Sequence, residues 1–124
     1  MSEKPVLEPS AEHPITIEPN PKRVVVRVGD SVVADTRDAV TLREADYRPV
    51  QYIPMADVDE SLLERTVHTS YCPFKGDATY FSLPAGGDRS ENAVWEYLDP
   101  YPAVAEIRGR VAFYPDRVDA IEEH

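Results

Sequence analysis

The stretch RVVVRVGDSVVAD, residues 23–35, decides the fold class of this chain. Residues 23–28 and the run SVVAD are dense in valine, whose branched side chain favours β-strands. The Gly29-Asp30 pair between the two runs is a typical hairpin turn. The sequence therefore predicts an antiparallel hairpin across residues 23–35.

Similar short strand signals continue toward the C-terminus, separated by turn residues. Further strands are predicted at residues 39–44, 47–54, 77–83 and 93–98, and within 105–114, after which Pro115-Asp116 turns the chain into RVDAIEE. The glycines and charges of PAGGDRSE predict a loop. Many short strands with regularly spaced turns are typical of a mostly β barrel or sandwich.

Two segments differ from this pattern. Residues 1–22 hold five of the 12 prolines and almost no periodic apolar pattern, so they predict an extended arm ahead of a domain at residues 23–124. Residues 56–65 predict a brief helix, with Asp57 as its cap and with Val58, Leu62 and Leu63 on one face.

Composition narrows the function classes. The chain has 124 residues, enough for a single domain, and a formal net charge of −10. Such a charge repels nucleic-acid phosphates and anionic membranes, so neither is an expected partner. No apolar run approaches the roughly 18 residues of a membrane span. One cysteine allows no intrachain disulfide, and together these features favour a cytoplasmic protein.

The segment HTSYCPFKGDATYF, residues 68–81, carries the most distinctive chemistry. Cys72 precedes Lys75 by three residues, and a nearby ammonium stabilises the reactive thiolate. His68 lies four residues before Cys72, on the same face of a regular strand, where it would act as a base. The structural alternative is a packed thiol in a tight turn that Pro73 and Gly76 shape.

A second interpretation of this segment is ligand binding without chemistry. Lys75 and Gly76 offer an ammonium and an unhindered backbone N–H to an anion. Arg43, Arg48 and Arg108 are further cations that would converge on the same ligand. A third interpretation is a metal site of His68 and Cys72 with Asp77 or Glu96, but the spacing matches no known zinc knuckle, so we predict no metal or other cofactor.

Aromatic residues supply the wall of a pocket. Alternation places Trp95 and Tyr97 on one face of their strand and Glu96 on the other. An aromatic face with a few polar groups is the usual form of a small-molecule site, and core packing is the alternative. The candidate ligand-binding residues are Tyr47, Arg48, Tyr52, Lys75, Gly76, Tyr80, Trp95 and Glu96.

Four stretches together resemble the DUF427 family of small bacterial and fungal proteins. They are RVVVRVGDSVVADT, YIPMADVD, CPFKGDATYFSL and AVWEYLDPYPAVAEIRGRVAFYPDRVD, and they cover roughly residues 23–120. CPFKG differs from the commoner Cys-Pro-Tyr-Lys-Gly by one aromatic residue. The resemblance implies a single-domain β-tent, an Mss4-like barrel of short antiparallel strands. It also implies that residues 62–69 are strand rather than helix.

The family resemblance implies no function. A nucleotidyltransferase-like label is attached to the family, yet such enzymes need a Gly-Ser turn before spaced carboxylates. Here Asp57-Val-Asp59 is the single Asp-x-Asp, and no Gly-Ser precedes it. Mss4-like relatives often bind zinc through two Cys-x-x-Cys knuckles, which one cysteine cannot build.

Two function classes therefore stay open. The first is a module that binds a small molecule or an anion in a cleft around CPFKG and Trp95; under this hypothesis Lys75→Ala abolishes binding and leaves the fold intact. The second is a small enzyme that uses Cys72 or Lys75, with His68, Glu44 or Glu96 as acid or base. Exposed strand edges also allow a homodimer.

Overall fold

In the computed structural model, which describes residues 4–124, ten strands form two antiparallel sheets. Residues 1–3 of the predicted arm lie outside the described residues. The strands are β1 Ile15–Pro19, β2 Val24–Val28, β3 Ser31–Thr36, β4 Val40–Glu44, β5 Val50–Pro54, β6 Glu64–Cys72, β7 Gly76–Ser82, β8 Val94–Tyr97, β9 Arg110–Phe113 and β10 Ala120–Glu123.

The two sheets differ in size and are both open. The larger has seven strands in the order β1-β4-β5-β9-β8-β7-β6, and the smaller has three in the order β10-β2-β3. The prediction of a mostly β single domain of short antiparallel strands is confirmed. The predicted barrel is wrong in one respect, because β1 and β6 end the larger sheet without pairing to each other.

The predicted hairpin is confirmed as β2 and β3. Val24 to Val28 pair with Ser31 to Thr36, and Gly29 has the positive φ of 57° that the tight turn requires. Four of the five residues of β2 are buried, because this strand lies in the middle of the smaller sheet. The hairpin thus forms one wall of the main core.

The predicted helix over residues 56–65 is wrong. Two single 3-10 turns, Met55–Asp57 and Glu60–Leu62, precede strand β6. Asp57 accepts a hydrogen bond from Thr36 at 2.7 Å instead of capping a helix, and Val58 bridges to Ala34. These contacts with β3 hold the segment open, so tertiary pairing overrides the local helical pattern. Strand β6 bears out the family's implication of strand beyond Leu62.

Apolar residues cover both faces of the larger sheet. One face packs against the smaller sheet in a cluster that includes Val26, Ile53, Val94 and Phe113. The other face carries a second cluster rich in tyrosine, covered by the segment Pro102–Ile107. Strand β8 contributes to both clusters, since Val94 belongs to the first and Trp95 and Tyr97 to the second, as alternation predicts.

Part of the predicted arm is a strand of the larger sheet. Residues 15–19 pair with β4 from Ile15 opposite Glu44 to Pro19 opposite Val40, and Ile15 and Ile17 pack against the second cluster. This strand brings residues just ahead of it close to the end of β4. No helix within residues 4–124 has the length and apolar character needed to span a bilayer.

Candidate functional site

The CPFKG segment is the turn that joins β6 to β7. Cys72 lies opposite Gly76 in the strand register, and the Lys75 N–H donates to the Cys72 carbonyl at 3.2 Å. Gly76 has a φ of 114°, which L side chains rarely adopt. The tight turn directs the Lys75 side chain inward, where only 9% of it is exposed.

The buried Lys75 ammonium is paired with Glu44. Its Nζ lies 2.5 Å from Glu44 Oε1, and His13 Nε2 lies 2.8 Å from Glu44 Oε2. The His13 ring stacks on Phe74 of the turn at 4.1 Å between centroids. Burial acts to raise the pKa of Glu44, but hydrogen bonds from Lys75 and His13 outweigh it and lower the pKa below its ordinary value.

Cys72 extends this chain of polar contacts by one step. Lys75 Nζ donates to Cys72 Sγ at 3.3 Å, and the thiol is half-buried. The sequence correctly predicted that Cys72 and Lys75 meet in the turn. Four groups, His13, Glu44, Lys75 and Cys72, therefore lie along one hydrogen-bonded chain.

His68 does not join the chain. The pairing of β6 with β7 is irregular between Arg65 and Thr69, just ahead of the regular stretch that ends at Cys72. The exposed His68 ring packs edge-on against Tyr80 instead, with centroids 4.5 Å apart. Within the described residues it makes no hydrogen bond to Cys72, so the structure offers no base at this position.

Lys75 and Glu44 lie at one end of a cleft of about 270 Å³, which we call the aromatic cleft. Aromatic side chains and a few polar groups form its walls, as in typical small-molecule sites. The lining residues are Leu42, Glu44, Tyr47, Arg48, Val50, Tyr52, Ser70, Lys75, Tyr80, Trp95, Tyr97 and Tyr114.

Hydrogen bonds fix the aromatic walls. Trp95 Nε1 donates to the Tyr52 hydroxyl at 3.3 Å, and the Tyr80 hydroxyl lies 2.8 Å from Ser70 Oγ. Trp95 and Tyr114 contact each other with ring centroids 4.5 Å apart. These contacts restrain the rings, so a ligand meets a preformed wall.

Three phenols of the cleft, those of Tyr52, Tyr97 and Tyr114, are neutral at physiological pH. Burial raises the pKa of Tyr52 and of Tyr97 well above the ordinary value. Burial, followed by the neighbouring Tyr80 hydroxyl, raises the pKa of Tyr114 to about 12. These phenols therefore present O–H groups, and none adds negative charge that would repel an anion.

Tyr47 and Arg48 form the rim of the cleft. Tyr47 is 62% exposed and Arg48 is also exposed. Arg48 makes no hydrogen bond or ion pair with any residue between 4 and 124, whereas the Lys75 charge is compensated by Glu44. The rim arginine is thus the cation available to an incoming ligand.

Six of the eight predicted ligand-binding residues line the aromatic cleft: Tyr47, Arg48, Tyr52, Lys75, Tyr80 and Trp95. Gly76 shapes the turn and does not line the cleft. Glu96 lies on the opposite face of β8, 5% exposed, where Arg65 holds its carboxylate at 2.9 Å. Glu96 was predicted from its residue type, although alternation placed it opposite Trp95 and Tyr97, and Gly76 was predicted for its unhindered backbone N–H.

The predicted convergence of arginines is wrong for two of the three. Arg108 pairs with Asp99 at 3.0 Å, and Arg43 lies outside the aromatic cleft. The metal interpretation also lacks its ligand set, since Asp77 pairs with Lys4 at 2.6 Å and Glu96 points to the other face. No group of three His, Cys, Asp or Glu side chains suited to a metal occurs from residue 4 onward.

Sequence reasoning missed His13, Ser70, Tyr97 and Tyr114 as site residues. His13 is the most informative case, because it contacts Glu44 across 31 residues of sequence. The alternation of Ile15 and Ile17 is the signal that could have found it. A strand at residues 15–19 beside β4 brings His13 next to Glu44.

A comparison with family models matches residues 16–124 to a domain of unknown function, DUF427. The match covers most of the chain, so this protein belongs to the DUF427 family, as the sequence resemblance predicted. A search of curated proteins finds no match. The family carries no assigned activity, and the chemistry of the cleft must supply the argument for function.

Proposed function

We propose that this protein is a binding module whose aromatic cleft holds a small organic anion. The planar part of the ligand stacks among Tyr52, Trp95 and Tyr114, and its anionic group pairs with Arg48 at the rim. The supporting observation is the combination of a preformed aromatic wall with a cation that no residue between 4 and 124 neutralises. Isolated cations beside aromatic walls are well suited to planar carboxylates.

The internal charges of the cleft favour the same ligand class. Lys75 and Arg48 supply two positive charges against the one carboxylate of Glu44. The net charge of the side chains that line the cleft is therefore positive, although the whole chain carries a formal net charge of −10. Long-range repulsion is screened at physiological salt, where the Debye length is about 8 Å, so the local groups decide binding.

The test uses benzoate and its neutral analogue benzamide. Trp95 is the single tryptophan and lines the cleft, so its fluorescence reports occupancy directly. We expect saturable benzoate binding, about tenfold or more weaker binding of benzamide, and a similar loss of benzoate affinity in Arg48→Gln.

Arg43→Gln is the matched control, because it removes the same charge from an exposed position outside the cleft. Its benzoate affinity should equal that of the wild type. Equal losses in Arg43→Gln and Arg48→Gln would show a general charge effect and contradict the site, as would the absence of saturable binding.

A second candidate function is nucleophilic catalysis by Cys72. It is favoured by the hydrogen-bonded chain from His13 through Glu44 and Lys75 to the Cys72 sulfur. An ammonium 3.3 Å from sulfur stabilises a thiolate, which is the competent nucleophile.

Alkylation by iodoacetamide between pH 5 and pH 9 tests this candidate. An active nucleophile reacts rapidly at neutral pH in the folded protein and slows in Lys75→Met, which removes the ammonium beside the sulfur. A thiol that reacts only after unfolding in urea would assign Cys72 to packing of the turn and remove this candidate.

A further inference from the structure

A second cleft adjoins the aromatic cleft and is walled mainly by apolar side chains. Its volume is about 500 Å³, and Ile53, Phe113 and Ile121 form much of its wall. We call it the apolar cleft. Four residues line both clefts: Arg48, Val50, Trp95 and Tyr114. The two spaces are therefore neighbours along one wall.

The short pairing between β5 and β9 explains why the two clefts adjoin. Strands β5 and β9 pair only through Ile53 with Val111 and Pro54 with Arg110. Toward Val50 on β5 and Phe113 on β9 no further pairs form, so the two strands separate. The opening lies where the two hydrophobic clusters meet, since Ile53 and Phe113 belong to one cluster and Val50 and Trp95 to the other.

We infer that the natural ligand is an amphipathic organic acid whose apolar chain occupies the apolar cleft. This inference rests on the proposed function of the aromatic cleft and specifies its ligand class. The anionic group pairs with Arg48, which borders both clefts. From there the apolar chain passes over Val50, beside Trp95 and Tyr114, and lies against Phe113 and Ile121.

The continuity of the two clefts and the charge of Arg48 select the occupant. The shared wall of Val50, Trp95 and Tyr114 means that a molecule anchored at Arg48 reaches apolar surface without crossing a polar barrier. Burial of each methylene of such a chain is favourable, whereas a fully polar ligand would leave this surface in water. Arg48 supplies the anchor, so the structure favours a chain with a charged end over an uncharged hydrocarbon.

The experiment is a series of straight-chain carboxylates from butyrate to decanoate, titrated at concentrations below micelle formation. Trp95 fluorescence and calorimetry report affinity, with benzoate as the reference for the aromatic cleft. We expect affinity to rise by about fourfold per added methylene until the apolar cleft is filled. Methyl resonances of Ile121 and Val26 should shift with decanoate and stay in place with benzoate.

Ile121→Gln places a polar amide in the wall of the apolar cleft and should flatten the chain-length dependence. Val32→Gln is the control, since Val32 lies in the same small sheet, is 41% exposed and lines neither cleft. Benzoate affinity should be unchanged in both variants. If Ile121→Gln fails to fold, the wild-type chain series and methyl shifts decide the question alone.

Four outcomes would overturn the inference. If affinity does not change with chain length while benzoate binding stays intact and dependent on Arg48, the proposed function holds but the ligand has no chain in the apolar cleft. An equally steep series in Ile121→Gln would place the chain elsewhere. Concentration-dependent shifts of Ile121 without any ligand, and none with decanoate, would assign the apolar cleft to self-association. If neither benzoate nor decanoate binds, the proposed function itself fails.

Discussion

The buried Lys75 ammonium is the side chain on which the candidate site depends. Its residue type and its place three residues after Cys72 are evident from sequence, and its contact with the thiol was predicted. Its burial and its pairing with Glu44 were not, because Glu44 lies 31 residues away. Lys75 therefore has a structural role as well as a candidate functional one. We no longer expect Lys75→Ala to leave the fold intact.

Replacement of Lys75 by methionine should destabilise the protein by about 3 kcal/mol, because it leaves the Glu44 carboxylate buried without its ammonium partner. The double variant Lys75→Met/Glu44→Gln should lose clearly less free energy of unfolding than the two single variants lose together. Urea unfolding followed by circular dichroism measures each free energy. Lys4→Met is the control, because its pair with Asp77 is exposed and contributes little. Additive losses in the double variant would contradict a direct ion pair.

Glu44 should also make stability depend on pH. Its pKa is lowered in the folded protein, so the folded state binds this proton less readily than the unfolded chain does. The resulting stabilisation is complete above the ordinary value of 4.5 and is lost as the pH falls through the lower folded pKa. The free energy of unfolding should therefore fall more steeply below pH 4.5 in the wild type than in Glu44→Gln.

Glu122→Gln provides the comparison for this pH dependence. The pKa of Glu122 is also lowered, by Arg27 and His124, but this carboxylate lies in an exposed pair. Solvent screens such a pair, so the wild-type slope should persist in Glu122→Gln. Parallel acid curves for the wild type and Glu44→Gln would show that Glu44 is not the group responsible.

At the scale of the element, the β6–β7 turn sets the direction of Lys75. The turn itself was predictable, because Pro73 and Gly76 are local conformational signals that act within a few residues. The irregular pairing of β6 with β7 between Arg65 and Thr69 was not. It depends on how residues 65–69 pair with β7 rather than on their own pattern.

Gly76→Ala should destabilise the protein by at least about 1 kcal/mol, because its φ of 114° is rarely adopted by L side chains. The added Cβ would lie 3.4 Å from the Asp99 carbonyl, so backbone conformation rather than collision dominates the cost. Thermal unfolding measures the effect. Gly109→Asn is the control, since its φ of 74° suits asparagine and its Cβ would meet nothing within 4 Å. Equal losses of thermal stability in the two variants would show that the φ of Gly76 does not cause the destabilisation.

Tertiary contacts also decide the conformation of residues 56–65, the segment that was predicted as a helix. Val58, Leu62 and Leu63 do show helical spacing, but Ala34 and Thr36 of the neighbouring strand supply competing partners. A pattern of three apolar residues is too short to outweigh them, because isolated single turns gain little from helix formation. Strand patterns were more reliable in this chain, since each strand is held by backbone pairing with at least one neighbour.

At the scale of the whole molecule, the N-terminal segment completes the larger sheet. Ile15 and Ile17 pack on the second cluster, and His13 reaches Glu44. The low apolar content of residues 1–22 gave no strong signal for this strand. The alternation covers only five residues. The backbone pairing of β1 with β4 supplies the stabilisation that so short a pattern does not provide.

Removal of residues 1–20 should therefore cost at least about 2 kcal/mol, because it takes away the β1 ladder and two partly buried isoleucines. Removal of residues 1–9 should cost much less, since the residues described in that stretch are largely exposed. Urea unfolding of both truncations provides the measurement. Equal stabilities would show that β1 contributes nothing to the sheet. The two truncations also test whether benzoate binding needs His13.

The sequence by itself determined most of the strands, the hairpin at residues 23–35, the CPFKG turn and the chemical types of the site residues. These features depend on valine-rich alternation and on glycine and proline conformation, which act over a few neighbouring residues. Of the eight ligand-binding candidates chosen in this way, six line the aromatic cleft.

Only the tertiary structure decided which of those residues meet. The Lys75–Glu44–His13 chain, the packing of His68 on Tyr80, the lack of a partner for Arg48 among residues 4–124 and the opening between β5 and β9 all follow from strand register and sheet order. A shift of one residue in register exchanges the two faces of a strand. Contacts across tens of residues therefore cannot be obtained from local pattern, because they are fixed by the packing of the whole molecule.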